Sequence, residues 1–222
     1  MIIDFHTHSF LSDGVLLPSE LIRRAYAAGY AAIGITDHVG PGNVEQVLDA
    51  LRRECEVARS HWPIVALPGV EITHVPAGAI AEVARRARAA GAAVVVVHGE
   101  TVTEPVEPGT NEAAVECEDV DILAHPGLIS EADAAAAARR GCFIELSGRK
   151  GHAYANGHVA HVAITAGARM LVNSDGHEPG DLLSDALINI VLRGASVPTE
   201  LHHEVTRANA QAMLATAIAR LR

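Results

Sequence analysis

The chain opens Met1-Ile2-Ile3-Asp4-Phe5-His6-Thr7-His8-Ser9. A short apolar run of this kind reads as a buried strand. Residues two apart in a strand point to one side, so His6 and His8 project together from its carboxyl end. One metal ion fits between two such imidazoles. The same event then recurs. Residues 31–36 run into Asp37-His38, and residues 64–70 into Glu71. Residues 92–97 end at His98 and residues 120–124 at His125. Residues 142–146 carry Glu145 and end at Ser147, and residues 168–173 end in Ser174-Asp175-Gly176-His177. Asp13 belongs to the loop after the first run.

Helical patterns fill the gaps, at residues 18–28, 43–59, 79–90, 130–140 and 157–166. Asn43 and Ser130 stand at N-cap positions. Gly29, Gly91, Gly141 and Gly167 stand just past the periodic stretches, where helices stop. Residues 110–117 are weakly helical. Strands alternating with such helices predict parallel pairing with crossover connections. Seven units in 222 residues favour a closed α/β barrel, a distorted seven-stranded (β/α)7 TIM-like fold, over an open sheet. An open sheet gathers ligands at one switch point. Here the candidates end six of seven strands, on the face where barrels carry their sites.

The length fits a single domain spanning residues 1–222, since domains usually run about 100–200 residues. The carboxyl-terminal residues, about 198–222, show a helical stripe of Ala208, Met213, Leu214, Ala217, Ile218 and Leu221. Its expected use is packing on the barrel's outer face, or joining subunits of a homo-oligomer. No apolar run approaches the ~20 residues of a membrane span, and no export leader is visible. Cys55, Cys117 and Cys142 are unpaired in spacing, which fits a reducing compartment. The expected location is therefore cytoplasmic. The net charge of −10 disfavours a large nucleic-acid partner. Bound cations would reverse the sign inside a pocket, so a small phosphorylated substrate remains compatible.

The candidate metal ligands are His6, His8, Asp13, His38, Glu71, His98, His125, Asp175 and His177, six imidazoles and three carboxylates. One catalytic ion takes roughly three to five protein ligands, so this set suits two or three ions. Imidazole with carboxylate and no thiolate suits zinc, manganese or iron. Two ions about 3.5–4 Å apart can share a hydroxide and clamp an in-line phosphoryl displacement. Glu71 is the natural bridge between them.

The ordered set His6-Thr7-His8-Ser9, Ser12-Asp13-Gly14, Ile35-Thr36-Asp37-His38, Gly69-Val70-Glu71, His98, Ala124-His125-Pro126 and Ser174-Asp175-Gly176-His177 resembles the PHP (polymerase and histidinol phosphatase) family of phosphoesterases. The resemblance spans essentially the whole chain. It implies a trinuclear site in a seven-stranded barrel. His6, His8, Glu71 and Asp175 would hold the first ion, and Glu71, His98 and His125 the second. Asp13, His38 and His177 would hold the third, with Asp13 standing where some relatives have a histidine. The implied activity is a metal-dependent, histidinol-phosphatase-like hydrolysis of a small phosphomonoester by a metal-bridging hydroxide. Glu71, Asp175 and His177 would form the catalytic centre.

The loop Ser147-Gly148-Arg149-Lys150-Gly151-His152 follows the sixth run on the same face. Arg149 suits bidentate phosphate binding. Lys150, the chain's single lysine, is expected beside it. His158, near a helix start, is a third candidate substrate contact. Asp37 and Asp4 are expected to orient ligands. His61, His74, His161, His202 and His203 read as structural or exposed. Residues 99–109, with Glu100, Glu104 and Glu107, form a candidate lid. A metal-dependent nuclease or exonuclease is the main alternative, favoured by stacking aromatics, of which Phe10, Tyr154 and Tyr30 are near candidate loops. An amidohydrolase lacks its usual bridging lysine at the fourth run here. A metal-dependent scaffold subunit is the non-enzymatic alternative.

Overall fold

The structure is a computed structural model describing residues 1–221. Strand β1 (Ile2–Asp4) is followed by helix α1 (Pro18–Ala27), β2 (Tyr30–Ile35), β3 (His38–Val39) and α2 (Val44–His61). Then come β4 (Val65–Ile72), α3 (Ile80–Ala89), β5 (Val94–His98), α4 (Thr110–Glu116), β6 (Ile122–Ala124) and α5 (Glu131–Arg140). The chain continues with β7 (Phe143–Ser147), α6 (Asn156–Ala166), β8 (Met170–Asn173), α7 (Asp185–Gly194), α8 (Thr199–His203) and α9 (Asn209–Ala219), with a π-helical turn, Glu204–Ala208, before α9. All strand pairs are parallel, in the order β1-β2-β4-β5-β6-β7-β8. β3 continues β2 after a two-residue break and also pairs with β4. The barrel thus has seven staves, as expected from the runs.

The first and last staves meet without a ladder among the described residues. Phe5 N donates to Asn173 Oδ1 (3.0 Å) and His8 N to Gly176 O (2.8 Å). That irregular seam is the distortion. The interior is filled by the inward positions Ile3, Phe5, Ala32, Leu67, Val94, Val96, Ile122, Phe143 and Leu171. At Gly34 an added Cβ would lie 2.9 Å from the Phe5 carbonyl oxygen, so the close crossing of β1 and β2 requires glycine.

Helices stop where glycine was expected, with Gly29, Gly91, Gly141 and Gly167 all at positive φ. Ser130 caps α5 by accepting from Asp133 N at 3.0 Å. Asn43 holds its place before α2 but caps nothing. Its Oδ1 accepts from Gly40 N (2.8 Å) and fixes the preceding loop instead. Helix α7 has no counterpart in the sequence expectations, yet Ser184 caps it through Leu187 N (3.1 Å).

The carboxyl-terminal helix does not pack on the outer face. Ala210, Met213 and Ala217 of α9 join the barrel-interior cluster at the amino-terminal ends of the strands. Arg220 bonds the Ala93 carbonyl (3.1 Å) and Asp121 (2.8 Å), both at strand starts. The helix plugs the lower mouth, leaving the carboxyl-terminal mouth open. No described helix is long and apolar enough to cross a membrane.

Candidate metal centre

Glu71, next to last in β4, lies inside the upper barrel mouth and is fully buried. Its Oε1 lies 3.2 Å from His98 Nδ1 and 3.3 Å from His125 Nε2. Its Oε2 lies 2.8 Å from His38 Nδ1, 3.4 Å from His6 Nε2 and 3.5 Å from His8 Nε2. Five imidazoles from four staves therefore surround one carboxylate. Asp175 Oδ1 stands 3.2 Å from His8 Nε2 and 3.7 Å from His6 Nε2. Asp13, half exposed, has its Oδ1 3.1 Å from His177 Nε2 and 3.4 Å from His38 Nε2. All nine sequence candidates converge on this one region.

The donor atoms are arranged for a cation. His6 Nε2, His8 Nε2, Glu71 Oε2, His98 Nε2 and His125 Nε2 are buried with no hydrogen-bond partner. Buried polar atoms left unpaired are costly and rare in folded proteins. Here they cluster, and groups of three or four of these residues bring ligand atoms within 4.8 Å of one another. The donor set, imidazole and carboxylate around one shared Glu71, fits borderline divalent ions.

The backbone is bent to achieve this. His74, His125 and Asp175 have φ of 50°, 29° and 52°, in the left-handed region that non-glycine residues avoid. Asp4 holds the last bend. Its carboxylate accepts from Ser174 Oγ at 2.6 Å and from Ser174 N at 3.2 Å. Burial pushes the Asp4 carboxyl up to about 7, against those hydrogen bonds. Asp37 acts on the loop after β1 and not on His38. It accepts from Ser9 N (2.7 Å), Ser9 Oγ (2.6 Å) and Ser12 Oγ (2.6 Å), which places Asp13.

Charge within the cluster is uneven. Burial alone would lower the His6 imidazole, but Glu145, Glu71 and Asp175 outweigh it and raise it well above its ordinary value. Burial would likewise lower His38, but Glu71 and Asp13 hold it up at about 10. Burial pushes His8 down to about 3. Glu71 and Asp175 sit well below the usual carboxylate range, because surrounding imidazoles outweigh burial.

Glu145 and His152 were not foreseen as parts of the site, and Glu104 was expected only within a candidate lid. Glu145 Oε2 accepts from His6 Nδ1 (2.7 Å) and Asn173 Nδ2 (2.9 Å) inside the barrel. The alternation of β7 carries the signal, since Phe143, Glu145 and Ser147 share one face and Ile144 and Leu146 the other. His152 Nδ1 lies 2.9 Å from Asp175 Oδ2, and its Nε2 lies 3.0 Å from Glu104. Glu104 also lies 3.2 Å from His74 Nε2 and 3.1 Å from His98 Nε2. His74, expected to be merely structural or exposed, thus stands on the rim of a cavity of about 260 Å³ together with Glu104, Arg149 and His177. Of the loop's other carboxylates, Glu100 accepts from Gly109 N and Asn111 N, and Glu107 from Ala77 N. Only Glu104 reaches the cavity.

The expected substrate contacts divide. Arg149 reaches the site, with Nη1 3.2 Å from the Asp175 carbonyl and beside His177. Lys150 is exposed and does not line the cavity. His158 does not line it either, because its Nε2 is taken by the Ile129 carbonyl at 2.8 Å.

Comparison with known proteins follows the same lines. Residues 4–82 match the PHP domain family. An uncharacterized protein of Methanocaldococcus jannaschii is 43% identical over 198 residues, covering 89% of this chain and 91% of that protein. A 5'-3' exoribonuclease of Haemophilus influenzae is 39% identical over 70 residues, 32% of this chain and 23% of that enzyme. Among solved structures, the histidinol phosphate phosphatase of Lactococcus lactis, complexed with zinc, L-histidinol and phosphate, shares the fold. It superposes with a TM-score of 0.59 at 15% identity, over 87% of this chain and 93% of that one.

Proposed function

The chain belongs to the PHP family of metal-dependent phosphoesterases, and from that premise we propose that it hydrolyses a small phosphomonoester of the histidinol phosphate kind. One observation carries the reading: four buried imidazole Nε2 nitrogens without hydrogen-bond partners surround a shared glutamate whose Oε2 is likewise unpartnered. His6, His8, Glu71 and Asp175 would hold one divalent ion, Glu71, His98 and His125 a second, and Asp13, His38 and His177 a third. Zinc, manganese or iron, when bound, would acidify a shared water and neutralise charge on the phosphoryl oxygens.

The chain's own residues do the rest. Glu145 accepts a hydrogen bond from His6 Nδ1–H, which leaves Nε2 free to ligate. His152 holds Asp175 Oδ2 in place from behind. Arg149, on the cavity wall beside His177, offers its guanidinium to the equatorial phosphoryl oxygens and counters their growing charge. A cavity of about 260 Å³ limits the buried part of a substrate to the phosphate and a short stem.

The test is phosphate release by the manganese-loaded protein over histidinol phosphate, sugar phosphates, nucleoside monophosphates and a short single-stranded oligonucleotide. Fast turnover of a small monoester, abolished by chelation and by Asp175→Ala, is the expected result. Mononucleotide release from the oligonucleotide with monoesters untouched would overturn it in favour of a nuclease. The likeness to an exoribonuclease over 32% of the chain is what supports that second reading.

A further inference from the structure

Of the twelve large apolar side chains exposed to solvent among the described residues, seven lie between a strand's carboxyl end and the next helix, while Met1, Val57, Ile164, Ile190 and Ile218 lie elsewhere. Phe10, Leu11, Val102, Leu128 and Tyr154 lie on loops that follow β1, β5, β6 and β7, all at the upper mouth of the barrel. Single exposed apolar residues are ordinary, but a concentration at one mouth of a barrel points to a binding surface. The aromatic residues sharpen the point. The chain has three phenylalanines, three tyrosines and one tryptophan. Phe5, Tyr30 and Phe143 are buried and Tyr26 and Trp62 half-buried, whereas Phe10 is 68% and Tyr154 74% exposed.

Both exposed rings sit on loops anchored to the same ligand. Phe10 follows His8 by two residues, and its loop is tied down by Val15 N to the His177 carbonyl (2.9 Å) and by Asp13 to His177 Nε2 (3.1 Å). Tyr154 follows His152 by two residues, and its loop is tied to His177 through Arg149. Both rings therefore stand on loops joined to the β8 loop through His177, at the mouth that carries Arg149. Their exposure puts them outside the cavity, so they reach a group set off from the phosphate and not one bonded directly to it.

Resting on the phosphoesterase reading above, we propose that Phe10 and Tyr154 form a stacking rim for a planar ring in the substrate's leaving group, joined to the phosphate by a short spacer. Aromatic faces attract flat heterocycles regardless of their hydrogen-bonding edges. The imidazole of histidinol phosphate and the base of a nucleoside monophosphate both meet this description, and glycerol phosphate does not.

The experiment uses the manganese-loaded full chain and measures kcat and KM for histidinol phosphate, adenosine 5'-monophosphate and glycerol 3-phosphate. It compares the wild type with Phe10→Ala, Tyr154→Ala and Tyr154→Phe. Loss of one stacked ring costs about fivefold or more in affinity. The ratio of kcat/KM for a ring-bearing ester to that for glycerol phosphate should fall by at least about fivefold in each alanine variant, through KM. Tyr154→Phe, which keeps the ring, should hold the ratio. The ester whose ratio falls names the source of the ring. Equal losses on all three esters, or no loss, overturn the proposal. If no ester turns over, the phosphoesterase reading fails. Calorimetric binding of the same esters to the same variants then decides the rim: weaker binding of the ring-bearing esters by the alanine variants supports it, and unchanged binding overturns it.

Discussion

Replacing Glu145 by glutamine should release metal while leaving the fold intact. The His6 Nδ1 to Glu145 Oε2 hydrogen bond is 2.7 Å long between two fully buried side chains. Its carboxylate fixes the proton on Nδ1 and keeps His6 Nε2, 3.4 Å from Glu71 and 3.7 Å from Asp175, as a basic lone pair. Glutamine keeps the volume and an accepting oxygen, so His6 and Asn173 retain a partner, but the negative charge is gone. Charge-assisted hydrogen bonds are roughly twice as strong as neutral ones. Loss of a partner behind a ligating histidine costs about 10–100-fold in metal affinity, or about 1.4–2.7 kcal/mol. Metal retained after dialysis against a graded chelator series, counted by mass spectrometry, reads this directly. The metal-free variant should still show the wild-type circular dichroism spectrum. If Glu145→Gln retains metal as the wild type does, His6 does not depend on the carboxylate behind it.

Gly14→Ala should damage the site without touching a ligand, because the new Cβ would fall 2.3 Å from the His8 carbonyl oxygen and push the Asp13 loop outward; reduced metal content with a cooperative melt is the expected reading. Met213→Ala, in the plug, should cost about 2–5 kcal/mol and lower Tm by on the order of 10 °C, with metal affinity unchanged in a chelator competition. Metal uptake at pH 7 should release protons, because Glu71 and Asp13 hold His38 protonated until a cation replaces them; apparent affinity should therefore rise with pH, and calorimetry in buffers of different ionisation enthalpy checks it. The metal-free protein should show the opposite trend on the alkaline side. His38 stabilises the fold below its ordinary 6.5, and that contribution is lost as pH rises toward about 10. Glu71 and Asp175, held low, stabilise above the ordinary carboxylate range and lose that as pH falls through it. Tm of the chelated protein should thus peak in mildly acidic solution.

What could be read from residue order was the frame and its ligands. Eight of the nine candidate ligands follow an apolar run, and Asp13 stands in the loop after the first, so the carboxyl ends of the strands were legible as the site, with His6 and His8 on one side of theirs. The residues behind them were not, because their roles depend on which distant stave lies alongside. Glu145 reaches His6 from 139 positions away, and Asp37 turned out to serve Ser9 and Ser12 instead of its neighbour His38. Lys150 and Arg149 adjoin in sequence, yet only Arg149 lines the cavity. The carboxyl-terminal stripe found Met213 and Ala217, which are buried, but also named Ala208 and Ile218, which are exposed, and it missed Ala210; nor could periodicity name the partner, since it reports that a face is covered and never by what.

The irregular seam between the first and last staves is also where the site is anchored. β1 contributes three residues and β8 four, too little ladder for either to hold the other firmly. The closure rests on His8 N to Gly176 O, Phe5 N to Asn173 Oδ1 and the Asp4 carboxylate on Ser174. Those same segments carry His6, His8, Asp175 and His177. Ligands on opposite sides of the seam, such as His8 and Asp175 with 3.2 Å between their facing atoms, would be clamped by any cation they share. Binding that exists only in the closed barrel stabilises the closed barrel by mass action. The weak seam and the strained φ of Asp175 therefore lie together, and a cation shared across them would supply the bond that a regular ladder would have made.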